Sequence, residues 1–256
     1  MFTNDRILEI AMRQSAAELN CGWRDFTLPD NVIAVSAENA AARKYLTLPF
    51  ACQLVSYGSN VVASVQEEYR ELVEAYLKKY PAEHCFETPN MHVLNDGLQE
   101  KGLRICFMAE YFLPDMRVFR PLECPLELRL MEQADFQELY TETWSNALCR
   151  DRKQLDVLGV GAYAEGRLVG LAGCSADCES MWQIGIDVLP EYRRQGIASA
   201  LTSRLALEIM ERGKVPFYCA AWSNIKSVRN ALRSGFRPAW AELTAKDREF
   251  VNRMNR

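Results

Sequence analysis

Residues 181 to 213, "MWQIGIDVLPEYRRQGIASALTSRLALEIMERG", limit the fold more than any other part of this chain. Ile184, Ile186 and Val188 alternate, the two-residue period of a strand with one apolar face. From Ile197 the apolar positions become Ala198, Leu201, Leu205 and Ile209, with Ser203, Arg204, Glu208 and Arg212 opposite them, and Gly213 closes the pattern. A strand therefore feeds a helix through the turn "PEYRRQG", which sets the fold class as α/β, mixed α+β.

The turn has a chemistry of its own. The first peptide N–H groups of a helix have no intrahelical acceptor, and the helix dipole adds positive potential there. An anion is favoured over such a turn. Gly196 lets it approach the backbone, and Arg193 and Arg194 add charge, a combination that suits a pyrophosphate. The competing reading is a solvated, charged helix entry.

The first half of the chain alternates helix and strand patterns. A helix is predicted near residues 4–19, another over "AENAAARKYL", and a strand over "FACQLVSYG". "EEYRELVEAYLKKY" puts Tyr69, Leu72, Val73, Tyr76 and Leu77 on one helical stripe. "ETPNMHVLNDGLQEKG" predicts a helix with Thr88 as cap, Pro89 at its first position and Gly102 as stop, followed by the strand "LRICFMAEYFL". Pro121 and Pro125 interrupt regular hydrogen bonding, so residues 116–125 are expected to link a domain of residues 1–115 to one of residues 126–256.

In the second half, "LELRLM" predicts a strand and "DFQELYTETW" a helix capped by Asp135. "LGVGAYAEGRLVGLAGCSA" reads as a hairpin turning at Glu165 and Gly166, and Gly185 marks a possible bulge in the next strand. Gly159, Gly161 and Ala164 match a dinucleotide-binding spacing, but a hairpin follows where that motif needs a helix, so nucleotide binding there is rejected.

Composition narrows the function. Apolar residues make up 49% and charged residues 25%, enough for a substantial core, and the net charge of −4 makes no case for nucleic acid or a membrane surface as partner. The N-terminus lacks the apolar run of a signal peptide, so a cytoplasmic protein is expected. Nine scattered cysteines without a C-x-x-C pair argue against a disulfide framework, and with His84 and His92 far from Cys174 and Cys178 no metal site is expected.

Arg193, Gly196 and Ala198, in "RRQGIA" after a strand ending "IDVLPEY", resemble the acetyl-coenzyme A signature of the GNAT acetyltransferase superfamily. The preceding hairpin, the strand "VPFYCAAW" and the helix "NIKSVRNALRSGF" extend the likeness over roughly residues 126–245. The resemblance implies a GNAT-like mixed sheet flanked by helices, and an N-acetyltransferase moving acetyl from acetyl-CoA, its cosubstrate, to a primary amine of a small-molecule acceptor by direct attack. The alternative is a non-catalytic acyl-CoA-binding sensor or interaction module. The two-part layout resembles a branch that includes zwittermicin A resistance-like proteins, which makes residues 1–115 a degenerate acetyltransferase-like half shaping the acceptor pocket.

Residue by residue, the resemblance implies that amides of Arg193, Arg194, Gln195, Gly196, Ile197 and Ala198 receive the pyrophosphate. Backbone from Ile186 to Val188 pairs with pantetheine, the Val188 N–H polarises the thioester carbonyl, and Asn224 contacts the pantetheine arm. Ser227 either touches coenzyme A or only packs, while Gly235 and Phe236 are structural. Two positions depart from the family pattern. Trp182 stands where relatives often carry a carboxylate, leaving Asp187 as the nearest candidate base, ahead of Glu179 and Asp177. Ala231 stands where many carry a tyrosine acid, leaving Tyr218 or water to protonate the thiolate. The identity of the amine and the oligomeric state are not readable from these residues.

Overall fold

The computed structural model describes residues 2–256. In chain order the elements are α1 (Asn4–Leu19), β1 (Val32–Val35), β2 (Cys52–Ser56), β3 (Val62–Val65), α2 (Arg70–Lys79), α3 (Thr88–Glu100), β4 (Leu103–Pro114) and β5 (Glu127–Glu132). The hairpin β6 (Asp156–Ala164) and β7 (Arg167–Ser175) follows, then β8 (Met181–Val188), α4 (Ile197–Glu211), β9 (Val215–Ala220), α5 (Ile225–Arg233), β10 (Phe236–Asp247) and α6 (Arg248–Met254). The fold is mixed α/β. No helix among the described residues is long and apolar enough to cross a membrane.

Two compact units are interleaved along the chain. One joins residues 1–10 to 112–238, the other residues 11–111 to 239–256. In the first, strands run in the order β9, β8, β7, β6, β5, with β8 and β9 parallel and the other pairs antiparallel. Ile197, Leu201, Leu205 and Ile209 of α4 pack on Leu158, Val160 and Ile184 of the sheet. Gly170 makes this close approach possible, since a Cβ there would press on Leu201 at 3.0 Å and Ile197 at 3.3 Å. Residues 115–126 carry no helix or strand, yet they pack within this unit: Phe119 meets Phe236 edge-on, and the Leu122 N–H donates to Ser203 Oγ at 2.9 Å.

In the second unit the order is β1, β3, β2, β10, with β1 and β3 parallel and the rest antiparallel. Val73, Tyr76 and Leu77 of α2, with Leu94 and Leu98 of α3, cover one face of that sheet, as their spacing predicts.

Three local expectations are overturned. Residues 37–46 form turns rather than a helix. Asn39 Oδ1 takes the Ala41 N–H at 2.9 Å, and Arg43 is drawn inside by Glu18, so tertiary pairing overrides helix propensity. "DFQELYTETW" forms two 3-10 turns, Gln133–Leu139 and Glu142–Trp144, rather than a helix, and Phe136, Tyr140 and Trp144 pack in one apolar cluster with Leu171. Gly185 makes no bulge. It pairs in register with Gly173, which pairs with Gly159, and this row across three strands is a trough. The Phe136 ring lies over Gly159, and a Cβ at Gly173 or Gly185 would collide with the carbonyl oxygen of Ala147 or Asn146. A smaller difference is at α3, where Glu87 occupies the cap position and Thr88 already opens the helix.

Candidate acetyl-CoA site

Strands β8 and β9 begin as neighbours and then part. They pair only at Met181 with Val215, Trp182 with Pro216 and Gln183 with Phe217, although β8 continues to Val188 and β9 to Ala220. At the parting point Gln183 Nε2 donates to Cys219 Sγ at 3.2 Å. Beyond it lies a wedge.

The backbone facing this wedge follows from the register. The Leu189 N–H donates to the Val169 carbonyl at 2.9 Å, in line with the β7–β8 ladder. Antiparallel residues alternate between bonding to the neighbour and turning away from it. Gly185 and Asp187 therefore bond toward β7, while Ile186 and Val188 turn their N–H and C=O groups toward the wedge. Arg193 Nε donates to the Val188 carbonyl at 2.9 Å. The Val188 N–H stays available on that edge.

The strand leads into the turn before α4. Arg194, with φ +64°, and Gly196, with φ +83°, are both left-handed, which curls the chain so that successive amides face outward. The first hydrogen bond of α4 runs from the Ala200 N–H to the Gly196 carbonyl, 3.1 Å. The Arg193 N–H, expected in the anion cradle, is taken by the Pro190 carbonyl at 3.3 Å, whereas among the described residues the N–H groups of Arg194 through Ser199 have no backbone acceptor. Space above Gly196 is open: the nearest atom to a Cβ built there is Arg233 Nη2, at 3.9 Å. Arg193, Arg194 and Gln195 are exposed, whereas the Ile197 side chain is core and only its backbone faces the turn.

Arg233 was not singled out by sequence reasoning. In the sequence it is a basic residue in the last turn of a helix, an ordinary complement to the helix dipole. Only tertiary packing brings it to the start of α4. Ser199 Oγ donates to Asn230 Oδ1 at 3.0 Å, and Asn230 Nδ2 donates to Thr202 Oγ1 at 3.0 Å, locking α5 beside α4.

The other expected residues fall as follows. Asn224 caps α5, its Oδ1 accepting from the Ser227 N–H at 3.2 Å, and its exposed amide NH2 remains available. Ser227 Oγ and the Tyr218 hydroxyl are hydrogen-bonded at 2.8 Å. Burial raises the Tyr218 pKa, so this phenol stays a proton donor at neutral pH. Ala231 is buried against this same core and brings no acid. Trp182 packs on that cluster as well.

Asp187 sits on the face opposite α4. Its Oδ2 accepts the N–H groups of Asn146 and Ala147, at 2.9 and 3.0 Å, and its Oδ1 accepts from Asn146 Nδ2 at 2.6 Å. Both oxygens are thus engaged in holding residues 146–147 over the glycine trough. Asp177 is fully buried and paired with Arg152 Nη1 at 3.0 Å, remote from the role of a base in a cleft.

Comparisons with known proteins place the chain in a family. The family model for GNAT acetyltransferase matches residues 58–239, more than half of the chain. Among solved structures, an acetyltransferase of the GNAT family from Novosphingobium aromaticivorans is similar at 20% identity, covering 56% of this chain and 66% of that one, just under two thirds, with a TM-score of 0.45. A GCN5-related N-acetyltransferase-like protein from Streptococcus suis is similar at 20% identity, covering 62% and 69%, with a TM-score of 0.46. An aminoglycoside N-acetyltransferase, AAC(6')-Iy, solved in complex with CoA, is similar at 20% identity over 44% of this chain and 92% of its own, with a TM-score of 0.36. No curated protein matches the chain. A family match that runs through the parted strands, the left-handed turn and the helix behind it makes this chain a member of the GNAT acetyltransferase family.

Proposed function

We propose that the chain transfers acetyl from acetyl-CoA to a primary amine of a small molecule, by direct attack of the amine on the thioester. The observation that carries this reading is the continuity of an unpaired β8 edge with a turn whose amides lack acceptors. That edge is a template for an extended amide chain, and the turn is an anion cradle. Acetyl-CoA supplies the activated acyl group. Arg194 to Ala198 would bind its pyrophosphate through N–H groups, with Arg233 adding charge beside Gly196. Ile186 and Val188 would hold the pantetheine amides, Asn224 would donate to them from the opposite side, and the Val188 N–H would stabilise charge developing on the thioester oxygen. Tyr218, kept protonated by burial, would hold a proton for the departing thiolate directly or through Ser227.

The finer placement within the two-part branch that includes zwittermicin A resistance-like proteins also belongs to this proposal. So does a cytoplasmic setting, where nine free cysteines stay reduced.

A second reading, acyl-CoA binding without turnover, draws on two observations: the Asp187 carboxylate is fully engaged, and Ala231 supplies no acid. One experiment separates the two. Calorimetric titration with acetyl-CoA and CoA is followed by thiol release against an amine panel containing an aminoglycoside, spermidine and an amino-acid amide. Binding with amine-dependent release is the expected result. Binding without release from a broad panel favours the sensor, and absence of binding removes both readings.

A further inference from the structure

Helix α5 carries charge that its own structure leaves unanswered. Lys226, Arg229 and Arg233 stand at positions i, i+3 and i+7 along one flank of the helix, and all three are exposed. The helix contains no acidic residue. Among the described residues, none of these three side chains makes a hydrogen bond or an ion pair. The row is unfavourable on its own terms: like charges three and four residues apart repel, and Lys226, the second residue of the helix, sets a cation at the end where the dipole favours an anion. Only Arg233, in the last turn, complements the dipole. Arg237, just beyond the helix, is a cation with a local role, its Nη1 donating to the Leu232 and Phe236 carbonyls at 3.1 and 2.8 Å.

The row borders the turn before α4. Asn230, the residue after Arg229, faces α4, where it bonds to Ser199 and Thr202. At the end of the row, Arg233 Nη2 lies 3.9 Å from a Cβ built on Gly196. Arg229 stands four residues before Arg233, about 6 Å along the helix axis. Two exposed guanidinium groups thus flank the anion cradle, one beside it and the other about a helical turn further off.

A ligand with two separated anionic groups answers this arrangement, and acetyl-CoA has them: the pyrophosphate and, one ribose ring away, the 3′-phosphate. Resting on the acetyl-CoA reading given above, we propose that Arg229 and Arg233 bind the 3′-phosphate, that Lys226 adds charge from a turn beyond, and that the row makes this site select CoA over its dephospho form. The turn amides take the pyrophosphate, as peptide N–H groups at a helix start do. The 3′-phosphate is a monoester with a charge of about −1.5 to −2 at neutral pH, and its free oxygens suit the planar N–H forks of two arginines. Its charge also offsets the repulsion within the row.

The competing account is a solvated basic face, which predicts no discrimination at the 3′-position. The test is calorimetric titration of the full chain with acetyl-CoA and with acetyl-dephospho-CoA, which share the thioester, pantetheine and pyrophosphate and differ only in that phosphate. Acetyl-CoA is expected to bind at least about tenfold more tightly, with an advantage that shrinks as salt screens the exposed charges. Arg229→Gln should remove most of the advantage by weakening acetyl-CoA alone; its retained affinity for acetyl-dephospho-CoA shows at the same time that the variant is folded. Equal affinities in the parent protein overturn the 3′-phosphate site and leave the acetyl-CoA reading standing. Failure of both ligands to bind overturns the two together. A preference for acetyl-CoA that survives both Arg229→Gln and Arg233→Gln places the phosphate elsewhere and overturns the assignment to α5.

Discussion

At the scale of single residues, Gly196 and Asp187 show how one sequence position takes its meaning from conformation. Gly196 holds φ +83°, so a Cβ there costs about 1–2 kcal/mol and also fills the open space above the turn. Gly196→Val is expected to lower acetyl-CoA affinity at least about tenfold by calorimetry while far-ultraviolet circular dichroism stays native; unchanged affinity would remove the anion cradle from the turn. Asp187 was expected to be a base, but its oxygens accept three N–H donors from Asn146 and Ala147. An asparagine retains an acceptor for the two backbone N–H groups, whereas alanine leaves them unmet, at about 1–3 kcal/mol. Asp187→Asn should therefore keep kcat within a few-fold and Asp187→Ala should lower stability. Collapse of kcat in the asparagine variant, with loss of the acid limb of its pH profile, would restore the base.

At the scale of elements, the glycine row Gly159, Gly173 and Gly185 and the segment laid over it behave as one unit. The backbone carbonyls of Asn146 and Ala147 sit where side chains would be, and backbone cannot yield as a flexible side chain does. Gly185→Ala is expected to lower the urea midpoint by an amount equivalent to about 1–3 kcal/mol, as overpacking against rigid atoms does. A loss below about 0.5 kcal/mol would mean that residues 146–147 lift off easily. Helix α4 is the other bearing element. Leu205 is fully buried between β-sheet and helix, so Leu205→Ala should cost about 2–5 kcal/mol in the same assay.

At the scale of the molecule, stability should depend on pH through Asp156. Burial pushes its carboxyl up to about 6, above the ordinary value near 4, although it accepts the Cys149 N–H at 2.8 Å. The folded state then binds more protons than the unfolded one between about pH 4 and 6. Stability contributed by this group falls as pH rises through that window, and the full cost, about 3 kcal/mol, is present above it. Asp156→Asn removes the charge and keeps an acceptor for Cys149. Its stability relative to the parent protein should rise from pH 5 to pH 8 in urea titrations, and a pH-independent difference would show that the native carboxyl is not perturbed.

What the sequence determined by itself is whatever local chemistry dictates. The alternation of Ile184, Ile186 and Val188, the period of α4, the helix-ending glycines Gly213 and Gly235, and the hairpin at Glu165 and Gly166 all depend on neighbours within a few residues. They were legible for that reason. What tertiary structure decided depends on partners far along the chain. Arg43 abandons a helical stretch because Glu18 and Glu242 await it inside, with the second of these 199 positions away. Residues 133–144 leave the predicted helix for two 3-10 turns, with Phe136, Tyr140 and Trp144 packed in one cluster with Leu171. Arg233 reaches the anion turn because α5 is bonded to α4, and Asp187 becomes an anchor because a distant loop lies over it. Backbone preferences amount to tenths of a kcal/mol per residue, while leaving a buried charge unpaired or a large aromatic side chain exposed costs several, so distant contacts prevail wherever the two conflict.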